Sequence, residues 1–133
     1  MTEIAADMLP RVLIVDDDVS TARVLIRCLE RRCALNCTTA TDGFEAFRIL
    51  GNRHFSLLIT DMAMPNMSGM ELLRLAKERY PAMRRILFTG YSDASLVLAD
   101  RDNADAILEK GGDIGPLCST ICRLATTPRD ADG

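Results

Sequence analysis

The chain lacks the usual marks of a membrane, secreted or nucleic-acid-binding protein. No apolar run approaches the roughly 20 residues that span a bilayer, and the polar start from Met1 to Asp7 lacks the charged-then-apolar order of a signal peptide. A formal charge of −3 leaves no basic footprint for nucleic acid. The tail after Leu124 is too short for a DNA-binding module, and there is no repeat, low-complexity segment or internal linker. Histidine occurs once, at His54 just ahead of an apolar run, and is read as structural. Cysteine is present but without framework spacing. Cys28, Cys33, Cys37, Cys118 and Cys122 are odd in number, which predicts reduced, packed thiols and a cytoplasmic setting. Cys118 and Cys122 share a helix face, but no further ligands stand near at zinc-site spacing.

What is there is one domain's worth of alternating apolar runs and amphipathic stretches within 133 residues. The stretch from Phe55 to Leu73 organises the rest. Leu57, Leu58 and Ile59 suit a strand covered on both faces, and Asp61 stands where that strand stops. Ser68 and Glu71 then form a capping box for a helix from Gly69 to about Arg79, which Tyr80-Pro81 closes. Val12 to Val15 is a second buried strand, ending at Asp16, Asp17 and Asp18, with Asp18 best placed to cap the helix that follows. That helix carries Ala22, Leu25, Ile26 and Leu29 on one face. Leu35 to Thr39 is a strand, and Asp42 with Glu45 caps a helix whose expected inward side is Phe44, Phe47 and Leu50. Ile86 to Phe88 and Ala106 to Leu108 complete the strands. A short helix through Leu96 to Leu98 lies between them, and a last helix, capped by Asp113, follows.

Five strand-helix alternations with short links predict a single doubly wound α/β domain. Functional groups in such sheets collect beyond the carboxyl ends of the strands. Those ends read Asp16 and Asp17, Asp61, Thr89 and Lys110. Two carboxylates about 5 Å apart repel by roughly 3 kcal/mol at an effective dielectric near 20. Three in one cleft therefore call for cations. Lys110 supplies one charge, and Mg²⁺, which favours a few carboxylates, water and phosphate oxygens, would supply the rest. Such a set suits phosphoryl transfer to an acid.

The segments Val12–Asp18, Leu57–Gly69 and Ile86–Gly90, with Lys110, resemble the receiver domains of two-component response regulators. The resemblance implies a CheY-like fold, a parallel five-stranded sheet of order 2-1-3-4-5 with helices on both faces. It places a flexible leader over residues 1–10, the receiver domain over 11–125 and a short tail over 126–133. It implies that Asp61 is the phosphoacceptor and that Asp16, Asp17, Asp61 and the Ala63 backbone carbonyl hold Mg²⁺. Thr89 and Lys110 would bind the phosphoryl group, and Ala63 and Tyr91 would modulate its hydrolysis. The implied donor is a histidine kinase or histidine phosphotransfer protein, and the implied output a protein partner, with neither nucleic acid nor membrane engaged. In place of the proline that usually follows the lysine stands Gly111, so a trans bond and a differently aimed Lys110 are expected. Ile107 stands where receivers tend to carry an aromatic. Two rival readings are a receiver-shaped binding module that is never phosphorylated, and a small haloacid-dehalogenase-like phosphatase acting through Asp16 and Asp18.

Overall fold

Residues 8–90 and 101–127 are described in the computed structural model of the chain. The strands are β1 (Arg11–Val15), β2 (Asn36–Ala40), β3 (Leu57–Asp61), β4 (Arg84–Thr89) and β5 (Ala106–Glu109). Between and after them run α1 (Val19–Arg32), α2 (Gly43–Leu50), α3 (Gly69–Arg79) and α4 (Ile114–Thr126). The strands form one parallel sheet in the order β2-β1-β3-β4-β5, as the resemblance implied. The expected short helix at Leu96–Leu98 and the residue Tyr91 lie outside the described residues, as do most of the leader and tail.

Strand alternation sorts the apolar residues into two cores. Val12, Ile14, Leu57, Ile59, Ile86 and Phe88 meet α1 and α4 through Ala22, Leu25, Leu29, Cys118, Ile121 and Leu124. On the other face Leu13, Val15, Leu58 and Leu87 meet α2 and α3 through Ala46, Leu50, Leu72, Leu73 and Ala76. Each burial removes apolar surface from water at about 25 cal/mol per Å², which is why near-continuous apolar strands occur here.

Side-chain caps start all four helices among the described residues. Asp18 accepts from the backbone N–H groups of Ser20 and Thr21, Asp42 from Glu45 (2.8 Å), Ser68 from Glu71 (3.2 Å) and Asp113 from Gly115 (3.1 Å). Each satisfies a donor that the first helical turn leaves open. The segment before β5 is held by Lys77 Nζ, which donates to the carbonyl of Asp102, and by the buried Arg85, which donates to the carbonyl of Asn103 and also to that of Met83 ahead of β4.

Two expectations are corrected. Phe44 is 60% exposed, and the inward side of α2 is Gly43, Ala46 and Leu50 with Phe47 half-buried. Met67 takes the place beside the start of α2, lying over Gly43 so closely that a Cβ there would come within 2.7 Å of its sulfur. The thiols are not all reduced: Cys33, at the end of α1, forms a disulfide with Cys122 of α4 across 89 residues of sequence. Parallel packing of the two helices brings the pair together, which no local spacing reveals. Cys28, Cys37 and Cys118 remain thiols.

Candidate functional site

At the carboxyl end of the sheet, β1 and β3 lie side by side, with Val15 paired to Thr60. Each strand stops on an acid, so Asp16 and Asp61 emerge as neighbours. Asp16 is almost fully buried; its backbone N–H donates to the Ala40 carbonyl, and its carboxylate accepts from the N–H of Asp18 at 2.9 Å. Asp61 accepts from the N–H of Met62 at 2.9 Å. Carboxylate oxygens of Asp16, Asp17 and Asp61 all lie within 4.8 Å of one another, with Asp17 exposed to solvent.

Lys110 enters from β5. Its ammonium stands 2.8 Å from Asp16 Oδ2 and 3.0 Å from Asp61 Oδ1, tying two strand ends together through a third. The same nitrogen lies 5.5 Å above the Phe88 ring, a cation–π contact. The Lys110 backbone N–H donates to the carbonyl of the buried Thr89 at 2.8 Å, so the hydroxyl residue and the lysine leave the sheet together. Among the described residues every peptide bond is trans, and Gly111 adopts φ +84°, a left-handed conformation that favours glycine. The trans expectation therefore holds, while the expected misdirection of Lys110 does not. Glycine turns the chain where a cis proline would, and the side chain still reaches both acids.

Charge balance in the cleft is tight. Burial, first, pushes the Asp61 pKa above the ordinary carboxylate range, and Asp16 adds to this; Lys110 and the Met62 N–H oppose it without prevailing. For Lys110, burial disfavours the ammonium, but the bonds to Asp16 and Asp61 outweigh it and hold its pKa above that of a free lysine. Three clustered carboxylates against one ammonium leave room for a further cation. The donors are all hard oxygens, which suits Mg²⁺ and not a thiophilic metal.

Asp18 stands apart from this set. Its carboxylate is occupied by the Ser20 and Thr21 N–H groups and the Thr21 hydroxyl, and the hydroxyl bond, chiefly, holds its pKa below the ordinary value. Ala63 lies exposed in the loop after Asp61, and His54 is exposed ahead of β3, at the opposite end of the sheet. Ile107 packs with the core that faces α2 and α3.

Two participants escaped the sequence reading. Phe88 supports the Lys110 ammonium; its place just before Thr89 was the available signal. Gly69, which opens α3, is required by close approach: a Cβ there would collide with the Asp61 carbonyl oxygen. Its N–H donates to the Met62 carbonyl at 2.9 Å, closing the loop back onto the strand end.

The chain is similar in sequence and fold to known proteins. The chain is 38% identical over 113 residues to the DNA-binding transcriptional regulator NtrC of Escherichia coli, a match covering 84% of this chain and 24% of that protein. The chain thus spans about a quarter of the length of that relative. It is 36% identical over 86 residues to the response regulator receiver protein CpdR of Brucella abortus, covering 65% of this chain and 71% of that one. Among solved structures, TrrA from Thermotoga maritima, in complex with Mg²⁺ and BeF, superposes with a TM-score of 0.80 at 27% identity, covering 87% of this chain and 99% of TrrA. A CheY-like receiver domain from Methanospirillum hungatei does so with a TM-score of 0.78 at 30% identity, covering 88% and 94%. The family model for the response regulator receiver domain matches residues 12–121, from the first buried strand into the last helix. The chain belongs to the response regulator receiver domain family, the signalling modules of two-component systems.

Proposed function

We propose that this domain accepts a phosphoryl group on Asp61 from the phosphohistidine of a histidine kinase or histidine phosphotransfer protein, and signals through a protein partner. The observation that carries this reading is the Lys110 ammonium held between Asp16 and Asp61. In the transfer, an Asp61 carboxylate oxygen attacks phosphorus in line with the leaving imidazole. The P–N bond breaks and an acyl phosphate forms. Lys110 exchanges its bond to Asp61 for one to a phosphoryl oxygen, and the Thr89 hydroxyl bonds another. Asp16, Asp17, Asp61 and the Ala63 carbonyl would hold Mg²⁺, which supplies positive charge against the phosphoryl oxygens. Ala63 would flank the path of the hydrolytic water; the matching role expected of Tyr91 falls on a residue outside the described ones. A cytoplasmic setting belongs to the same proposal.

Both rivals lose support. A phosphatase of the Asp-x-Asp kind needs Asp18 as an acid, yet that carboxylate is occupied in capping α1. A module that is never phosphorylated was motivated partly by Gly111, yet Lys110 reaches the acids regardless. The deciding experiment is labelling by acetyl phosphate with Mg²⁺, followed by peptide mapping. Label on Asp61, lost in Asp61→Asn and on chelation of the metal, is the expected result; label elsewhere, or none, overturns the proposal.

A further inference from the structure

The seam between α1 and α4 carries cysteine chemistry that phosphoryl transfer does not use. Two cross-helix pairs stand one above the other along it: Cys33 with Cys122, joined, and Cys28 with Cys118, whose sulfurs are 2.7 Å apart. The helices run in the same direction, so steps of five residues on α1 and four on α4 lead from one pair to the next. The sulfurs of Cys28 and Cys118 are thus already in reach of each other, 90 residues apart in sequence.

The two members differ in access. Cys118 is fully buried, and its thiol is pushed up to about 12 by burial and by Cys28. Cys37, packed nearby, is pushed up to about 11 by burial and by Glu30. Cys28 is half-buried and lines an open groove of about 770 Å³ whose other walls include Arg23, Arg27, Arg31 and Arg32. Among the described residues none of these four arginines is in an ion pair. In a protein of net charge −3, this groove concentrates positive charge around a single reachable sulfur. Positive surroundings attract anionic reagents.

We propose that Cys28 and Cys118 form a thiol–disulfide exchange site, entered through the arginine groove by an anionic low-molecular-weight disulfide. The Cys28 thiolate attacks one sulfur of the incoming disulfide; its S–S bond breaks and one thiolate leaves, taking up the proton that Cys28 lost. The Cys118 thiol then attacks the Cys28 sulfur of the mixed disulfide, giving its proton to the second thiolate as that thiolate is displaced. Two cysteine thiols are oxidised by two electrons, and one external disulfide is reduced to two thiols. The product is a second cross-link between α1 and α4, beside the first. Cys37 takes no part.

The test uses the full chain, oxidised glutathione as the anionic probe and cystamine as its cationic counterpart. Remaining thiols are alkylated and the protein is mapped without reduction. Oxidised glutathione should remove two alkylatable thiols and yield a Cys28–Cys118 peptide. Cys28→Ser should abolish the reaction, and Cys118→Ser should stop it at a mixed disulfide on Cys28. At low ionic strength oxidised glutathione should react at least about tenfold faster than cystamine, with the gap closing in about 1 M salt. The double variant Cys33→Ser with Cys122→Ser should still form the Cys28–Cys118 link, separating the exchange site from the existing disulfide. Persistence of alkylatable Cys28 and Cys118, modification at Cys37, or cystamine reacting as fast as oxidised glutathione would overturn the proposal.

Discussion

The Lys110 ammonium stands 3.0 Å from Asp61 and keeps charge on a carboxylate that burial works to neutralise. Replacing it with methionine keeps the hydrocarbon stem over Phe88 but removes the cation. In Lys110→Met the Asp61 pKa should climb further, and the transferred phosphoryl group should lose a stabilising contact. A positioned charge of this kind is commonly worth a factor of about 100 in rate. The check is the initial rate of Asp61 labelling by acetyl phosphate at fixed Mg²⁺; a rate within about twofold of the native protein would remove Lys110 from the mechanism.

The pH dependence of stability follows from the same acid. Because the folded-state pKa of Asp61 lies above its ordinary value of 3.8, the folded chain holds that proton more tightly than the unfolded chain. Its contribution is therefore full below the unfolded value and lost as pH rises through the folded value. At neutral pH the ionised group works against folding. Asp61→Asn should accordingly melt above the native protein at pH 7, with the difference shrinking as pH is lowered toward 4. Thermal melts of both proteins across that range, without divalent cations, would expose the error if the gap stayed constant or had the opposite sign.

Two glycines should respond differently to one methyl group. Gly69→Ala sets a Cβ against the Asp61 carbonyl, a backbone atom that cannot yield without moving the strand end. The expected loss is about 3 kcal/mol. Gly43→Ala instead presses on Met67, whose sulfur can swing aside but whose Cβ, 2.8 Å away, moves only with its backbone, and should cost about 2 kcal/mol. Urea midpoints at constant slope measure both, and a cost at Gly43 equal to that at Gly69 would contradict the close approach.

Hydrolysis of the acyl phosphate depends on a water placed in line behind phosphorus. Ala63 is exposed in the loop two residues after Asp61, and under the proposed function it would stand beside that approach with no polar side-chain atom to orient a water. Ala63→Asn should therefore speed the decay by about tenfold, equivalent to about 1.4 kcal/mol in the barrier. The measurement is loss of label from Asp61 after the phosphoryl donor is removed. An unchanged decay would mean that this position does not govern water access.

Much of this arrangement could be read from residue order. The apolar runs of β1 and β3 announced strands buried on both faces, and Asp16 and Asp61 converge because adjacent parallel strands end at the same level. The caps at Asp18, Asp42, Ser68 and Asp113 were legible because capping is a local interaction with fixed spacing. Strand order was not local, and came from family resemblance. Phe44 misled because helical periodicity marks a face without saying which neighbour reaches it; Met67 took the place beside Gly43. Cys33 and Cys122 were missed for a related reason, since their pairing is a property of how α1 meets α4 and not of either helix.

The Cys33–Cys122 bond also has a mechanical consequence, because it belongs to one of the two cores only. On that side of the sheet, α1 and α4 are joined to each other as well as packed on β1, β3 and β4. On the other side, α2 and α3 are held by packing and by their caps. Local opening draws first on elements without covalent restraint. Amide protons of α2 and α3 should exchange ahead of those in α1 and α4, and reduction should narrow that difference. The domain is a sheet with one side stitched and the other laid on, and loosening begins at the unstitched side.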